Sequence, residues 1–227
     1  MNTARLSSGV PLFDKLLGGG YENDVVSVIY GPGGSGKTNL CMLCAVSAAN
    51  KKKVIFVDTE GGFSIERLKQ ICPDYDKVVR NIVFFRPTTF EDQKLVFEKL
   101  KKEVEKNVGV VIVDTIASLY RFELGKNRNF YEVNRNLAVQ LGFLGELARK
   151  QEIPVLITSQ VYSTADEKSS TKIVGGDLIR YACKCIVELQ KIHKGRRKAI
   201  LKKHRSLPEG AETVFEITGT GIEPTGQ

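Results

Sequence analysis

Gly31-Pro32-Gly33-Gly34-Ser35-Gly36-Lys37-Thr38 is the stretch whose reading decides the fold. Its pattern is GxxxxGK[ST], and its neighbours matter as much as its letters. The apolar run Val25–Tyr30 precedes it and the helix-prone stretch Asn39–Ala49 follows it, which makes a strand–loop–helix unit. Glycines let successive backbone N–H groups curl around a phosphate, and the start of the following helix adds a partial positive charge. Lys37 then reaches the β and γ phosphates, and the Thr38 hydroxyl can ligate Mg²⁺. The ligand implied is ATP with Mg²⁺, held by Gly31, Pro32, Gly33, Gly34, Ser35, Gly36, Lys37 and Thr38.

Working outward, apolar runs of the same kind recur at Val54–Val57, Ile82–Phe85, Val110–Val113 and Val155–Thr158. Each is short and rich in Val, Ile or Phe, as strands buried on both faces of a parallel sheet must be. Helical spacing fills the intervals. Phe90, Phe97, Leu100 and Val104 lie three, four or seven residues apart behind an N-cap at Thr89. Val133, Leu137, Leu141, Leu144 and Ala148 repeat the pattern, and Pro154 closes the turn into the next strand. Strand and helix alternating in this way predict a wound α/β sheet flanked by helices. The C-terminal third changes character. Lys184–Ile192, Ala199–Lys203 and Val214–Ile217 read as strands joined by Gly195-Arg196 and by Pro208-Glu209-Gly210, links short enough for antiparallel neighbours. The expectation is one domain over residues 1–227: a mostly parallel core with an antiparallel C-terminal extension. The polar segment Thr164–Thr171 reads as a mobile loop.

A phosphate loop needs an acid near its metal. Val110-Val111-Ile112-Val113-Asp114 is an apolar strand ending in Asp, at the sheet edge where α/β folds place ligands. Asp114 is therefore assigned to the Mg²⁺ shell with Thr38. Asp58 and Glu60 end another strand, and either carboxylate could orient the water that attacks the γ-phosphate. Chemistry alone does not choose between them; Glu60 is favoured because it lies beyond the strand, where a longer side chain projects into the cleft. Gln160 also follows a strand. Its amide either bonds the γ-phosphate region, so that the next loop reports the nucleotide state, or is a strand-end group satisfied by backbone.

Composition sets the remaining bounds. The chain is long enough to bury a full core without disulfides or a structural metal. Its five cysteines (Cys41, Cys44, Cys72, Cys183 and Cys185) have no framework spacing, and Cys41/Cys44 fall inside the expected helix after the loop. Buried free thiols in a reducing compartment are the expectation, rather than zinc or redox chemistry. No apolar run is long enough for a membrane span and no leader pattern is visible, which points to the cytosol. The net charge of +8 is local. Lys191, Lys194, Arg196, Arg197, Lys198, Lys202, Lys203 and Arg205 fall in one segment without acids. Removing these eight from the 34 basic residues leaves 26, against 26 acidic ones. Such a strip is either a polyanion-binding surface or a solvated hairpin.

With these residues in place, the chain resembles the RecA/RadA recombinase superfamily, and most of all the archaeal RadB group of short RadA paralogues. Leu6-Ser7-Ser8-Gly9 through Leu16-Leu17-Gly18-Gly19-Gly20 is similar to the lead-in shared by RadA and KaiC-type ATPases. Val57-Asp58-Thr59-Glu60-Gly61-Gly62-Phe63-Ser64-Ile65-Glu66-Arg67-Leu68 resembles the stretch that carries the catalytic glutamate, which falls on Glu60. There the arginine matching Arg67 packs near the adenine. Asp114 matches the Walker B aspartate. Thr158-Ser159-Gln160-Val161 resembles the motif whose glutamine couples ATP to the second DNA loop, and Ile173-Val174-Gly175-Gly176 resembles that loop's end.

The resemblance implies a RecA-type core and single-stranded DNA as partner. A first DNA loop would span roughly Arg121–Phe130, with Arg121, Lys126 and Arg128. A second would span Val161–Gly175, with Lys168 and Lys172. Arg196 and Arg197 of the basic strip join them. The lead-in begins within ten residues of Met1, so RadA's N-terminal helical DNA-binding domain and docking linker are not expected. What the likeness implies is a nucleoid-associated accessory protein that binds DNA, hydrolyses ATP weakly and assists the RadA recombinase. A Holliday-junction resolvase and a second copy of the chain are further partners. In the superfamily, basic residues near Lys202–Arg205 reach a neighbour's nucleotide. The competing reading is a KaiC-like signalling ATPase acting on protein; the stretch Asp58–Leu68, Gln160 and Gly175-Gly176 favour the recombinase side.

Overall fold

The computed structural model describes residues 4–104, 107–126, 129–163 and 171–225. The chain opens with β1 (Arg5–Leu6), α1 (Pro11–Leu16) and β2 (Tyr21–Glu22), where β1 and β2 pair antiparallel. β3 (Val26–Tyr30) leads through the glycine-rich loop into α2 (Lys37–Ala49). Then come β4 (Lys53–Asp58), α3 (Ile65–Ile71), α4 (Tyr75–Arg80), β5 (Ile82–Phe85) and α5 (Phe90–Glu103). β6 (Val108–Asp114), α6 (Ser118–Lys126), α7 (Phe130–Gln151) and β7 (Val155–Ser159) follow. A small ribbon of β8 (Val161–Ser163) and β9 (Thr171–Ile173) precedes α8 (Gly176–Ala182). The chain ends with β10 (Cys185–Lys191), β11 (Arg197–Lys203), β12 (Glu212–Ile217) and β13 (Ile222–Pro224).

Nine strands form one sheet in the order β13-β12-β11-β10-β3-β7-β6-β4-β5. From β10 to β5 every neighbouring pair is parallel, and from β10 to β13 every pair is antiparallel. The expected core and its antiparallel extension are both present. Alternate residues of one strand feed two separate cores. Phe56, Ile112, Leu156 and Val187 pack with α2, α3 and α4 on one face; Ile55, Val111, Ile157 and Ile186 pack with α5, α6 and α7 on the other. Burial on both faces is why these strands read as continuous apolar runs. α2 is covered over most of its surface, with Leu40, Cys41, Met42, Leu43, Cys44 and Ala45 all buried. The CxxC cysteines are therefore core thiols, which burial pushes far above the ordinary thiol range.

Local chemistry explains the helix ends. Thr89 caps α5: its side chain accepts from the Asp92 amide at 3.0 Å while the Asp92 carboxylate accepts from the Thr89 amide at 3.1 Å. This is a reciprocal capping box. Ser64 caps α3 one way only, accepting from the Arg67 amide at 3.2 Å.

Some expectations change. The first DNA segment, expected as a loop over Arg121–Phe130, is mostly helical. Arg121–Lys126 complete α6 and Phe130 opens α7. The reason lies in the sequence, since no Pro interrupts the span and Tyr120 and Leu124, four apart, pack on the core. Tyr120 Oη also donates to Asn134 Oδ1 of α7 at 2.6 Å. The second segment is flanked by paired strands, β8 and β9, before Val174 N donates to Gln160 O at 2.9 Å. Its middle, 164–170, lies outside the described residues. Strand β13 and the β1–β2 pair were not foreseen.

Candidate functional site

The carboxyl ends of β3, β4, β6 and β7 lie side by side and deliver the glycine-rich loop, Asp58 and Glu60, Asp114 and Gln160 to one edge of the sheet. Parallel α/β sheets bind ligands at that edge, because the strands end there and the following helices begin.

The loop conformation needs its glycines. Gly34 and Gly36 have φ of 70° and 106°, the left-handed region that only glycine enters without strain. At Gly31 a Cβ would lie 2.4 Å from the Leu189 carbonyl oxygen. Gly36 caps α2, whose first residue is Lys37, so the helix start faces the loop. Lys37 Nζ donates to the carbonyls of Gly31 at 2.9 Å and Pro32 at 3.0 Å, lying across the loop mouth. Burial lowers its pKa, opposed by the Asp114 and Glu60 carboxylates. Ser35 Oγ is buried and forms no hydrogen bond among the described residues. A curled backbone, a buried ammonium and an unpartnered hydroxyl fit a polyphosphate.

Thr38 Oγ1 donates to Asp114 Oδ2 at 2.7 Å, and Thr158 Oγ1 donates to Asp114 Oδ1 at 2.5 Å. Thr158, on β7, escaped the sequence reading; only the pairing of β6 with β7 brings it beside Asp114. Burial raises the Asp114 pKa, the two threonine hydroxyls oppose this, and the Glu60 and Asp58 carboxylates add to it. A hydroxyl and an acid converging in a pocket of negative potential are hard oxygen donors suited to Mg²⁺.

The structure separates the two acids after β4. Asp58 is buried and accepts from the amides of Gly62 and Phe63, each at 3.1 Å, so it holds the turn. Glu60 is exposed to the cleft, where its Oε1 accepts from Thr115 Oγ1 at 3.2 Å and from Gln160 Nε2 at 2.7 Å. The Gln160 side chain therefore bonds a carboxylate rather than backbone. Arg67 lies beside the first turn of α2. It donates to Asn39 Oδ1 at 2.7 Å and to the carbonyls of Gly219 and Gly221 at 3.0 and 3.3 Å, tying α3 to the β12–β13 turn.

The basic candidates separate into groups. Arg121, with Tyr120, Tyr162 and Tyr181, lines a cavity of about 530 Å³ between α6, β8 and α8. Lys126 is exposed at the end of α6, and Lys172 sits on β9 in a neighbouring groove with Tyr162. Arg128 and Lys168 lie outside the described residues. The exposed Tyr162 and Tyr181, missed in the sequence, offer faces on which bases can stack. The strip on β10–β11 is partly neutralised by distant acids. Arg196 pairs with Glu216 at 3.2 Å, Lys198 with Glu212 at 3.1 Å and Lys202 with Glu188 at 3.5 Å. Arg205 pairs with Glu22 at 2.8 Å and Asp24 at 2.9 Å, while Lys203 Nζ donates to the carbonyls of Arg180 and Cys183. Arg197 instead turns to the glycine-rich loop, donating to the Gly34 carbonyl at 3.5 Å.

Comparison with known proteins places this arrangement. The Rad51 family profile matches residues 1–225. The chain belongs to the Rad51 family. Its relatives include proteins named DNA repair and recombination protein RadB. The one from Methanococcoides burtonii is 45% identical over 219 residues, covering 96% of both chains. The one from Thermococcus kodakarensis is 40% identical over 223 residues, covering 96% of this chain and 98% of the relative. The crystal structure of the RadB recombinase superposes with a TM-score of 0.83 at 38% identity, covering 97% of this chain and all of the other. Rad51-family membership settles the sheet as a RecA-type core and decides the sequence-level alternatives for the recombinase side over the KaiC-like one. No helix among the described residues is long and apolar enough to cross a membrane.

Proposed function

We propose that the chain is an accessory protein of homologous recombination and DNA repair. It binds ATP–Mg²⁺ and single-stranded DNA, hydrolyses ATP slowly, and assists the RadA recombinase rather than exchanging strands itself. The observation that carries this reading is the 2.7 Å bond from Gln160 Nε2 to Glu60 Oε1. One partner faces the nucleotide edge, and the other opens the ribbon that carries Tyr162 and Lys172. A single side-chain contact thus spans the step from nucleotide to DNA. The names of the RadB relatives support the recombination role.

In this reading the amides of the glycine-rich loop and Lys37 bind the β and γ phosphates, and Thr38 and Asp114 hold Mg²⁺. The metal supplies positive charge where the γ-phosphate develops negative charge. Arg67 flanks the adenine. Glu60 orients the attacking water, but Gln160 and Thr115 both hold its Oε1. With Oε1 so engaged, Oε2 alone is left to position water and the carboxylate is held in one orientation, which fits slow turnover by the isolated chain. DNA drawn to Arg121, Lys126 and Lys172 on one side, and to Arg196 on the other, would shift the ribbon and with it Gln160. Lys202, Lys203 and Arg205 are all engaged within the chain, so a second copy using them must first displace Glu188 from Lys202, the Arg180 and Cys183 carbonyls from Lys203, or Glu22 and Asp24 from Arg205.

The test is ATP turnover with and without single-stranded DNA, measured across protein concentration. A slow rate that is independent of concentration supports the accessory reading. A rate rising steeply with concentration would show instead that neighbouring copies complete the site. Capture of purified RadA, and separately of a Holliday-junction resolvase, tests the partners.

A further inference from the structure

Lys191 is the last residue of β10, and the parallel register of β10 with β3 carries it past Tyr30 to the glycine-rich loop. A Cβ built on Gly34 would lie 3.2 Å from Lys191 Nζ and 3.5 Å from Cε. Among the described residues the Lys191 ammonium has no hydrogen-bond or ion-pair partner. Arg197, its cross-strand neighbour on β11, reaches the same peptide, donating to Gly34 O at 3.5 Å and also to Gly195 O. Its Nε is buried and unpartnered. The rest of the hairpin is fastened to β12 by Arg196–Glu216 and Lys198–Glu212.

We propose that Lys191 and Arg197 form a second basic arm of the phosphate site, contributed by the same chain: the Lys191 ammonium bonds an oxygen of the terminal phosphate, and Arg197 braces the Gly34 peptide. The proposal rests on the reading that this loop binds ATP.

Charge balance favours it. ATP–Mg²⁺ is still anionic with its metal counted, Glu60 and Asp114 place two more carboxylates beside it, and Lys37 alone does not offset them. A glycine at position 34 is needed for its φ of 70°, and the Lys191 ammonium lies directly against it. The terminal phosphate is the group addressed, because Lys191 meets the loop at its apex rather than at the α2 end. Lys191 then senses triphosphate against diphosphate, and ATP binding pulls on the β10–β11 hairpin.

The experiment measures equilibrium affinity for adenosine β,γ-imidotriphosphate–Mg²⁺ and for ADP–Mg²⁺ by displacement of a fluorescent ADP. The proteins are wild type, Lys191→Ala, Lys191→Arg, Lys194→Ala and Lys37→Ala. Loss of one charge-assisted bond corresponds to about tenfold or more. Lys191→Ala is expected to weaken the triphosphate analogue about tenfold and ADP less than about threefold. Lys191→Arg should stay within about threefold of wild type, as should Lys194→Ala at the exposed tip of the hairpin. An unchanged triphosphate affinity in Lys191→Ala, or equal losses for both nucleotides, overturns the proposal while leaving ATP binding intact. If wild type and Lys37→Ala fail alike to bind either nucleotide, the underlying reading falls and this one with it.

Discussion

Gln160→Ala removes the contact on which the functional reading turns. Its amide donates to an ionised oxygen of Glu60 at 2.7 Å. Hydrogen bonds to charged groups contribute about 1.5–3 kcal/mol, and the partial exposure of this pair argues for the lower end. About 1.5 kcal/mol is roughly a tenfold change in an equilibrium. That figure sets a scale for what the bond can transmit: stimulation of ATP turnover by DNA through Gln160 should be about tenfold, not thousands. In Gln160→Ala the stimulation should vanish, because the ribbon no longer touches Glu60. Nucleotide affinity should change by less than about threefold, since Lys37, Thr38 and the loop amides are untouched. The assay is steady-state phosphate release with and without polydeoxythymidine, alongside nucleotide affinity measured by fluorescence. Stimulation that survives the substitution at wild-type level, with affinity unchanged, would refute the coupling through this bond.

Other consequences are equally direct. Glu60→Gln should bind ATP–Mg²⁺ normally and trap it unhydrolysed; unchanged turnover, read by phosphate release, rejects Glu60 as the residue that orients water. Binding to single-stranded DNA should weaken with salt along a log–log slope of about −3 to −4, from about four to six phosphate contacts; fluorescence anisotropy that ignores salt contradicts it. Thr89→Ala should cost about 1 kcal/mol at neutral pH, lowering the melting temperature by about 2–4 °C. Hydrogen bonds from Thr89, then Thr88, hold the Asp92 carboxyl below its usual 3.8. With its folded value below the unfolded one, Asp92 contributes stability that is present above the unfolded value and lost as pH falls through the folded value. The Thr89→Ala deficit should therefore narrow as pH falls below the usual Asp value and through the folded one; calorimetry showing it widen would reverse the sign.

Elements whose character is local could be read from the sequence. The glycine-rich loop is one, since left-handed φ at Gly34 and Gly36 demands glycine at fixed spacing. The parallel strands are another, because burial on both faces leaves them short and mostly apolar. What long-range pairing decides could not be read. Asp58 and Glu60 look interchangeable until the turn back to Gly62 and Phe63 consumes one of them. Thr158 meets Asp114 only through the pairing of β7 with β6. The basic strip looked unneutralised because its acids, Glu22, Asp24, Glu188, Glu212 and Glu216, lie outside it in sequence. The short strands β1, β2 and β13 carry too few residues to show a period. Arg121–Lys126 are helical because Tyr120 and Leu124, four apart, both pack on the core, a contact that the resemblance to a DNA loop does not carry.

The central claim is that one nucleotide site and one DNA surface are coupled, and coupling between two ligands is reciprocal. The most direct measurement is single-stranded DNA affinity with adenosine β,γ-imidotriphosphate–Mg²⁺, with ADP–Mg²⁺ and without nucleotide, matched by triphosphate affinity with and without DNA. The account predicts that the triphosphate changes DNA affinity and that DNA changes triphosphate affinity by the same factor. DNA binding of one strength in all three nucleotide conditions would contradict it.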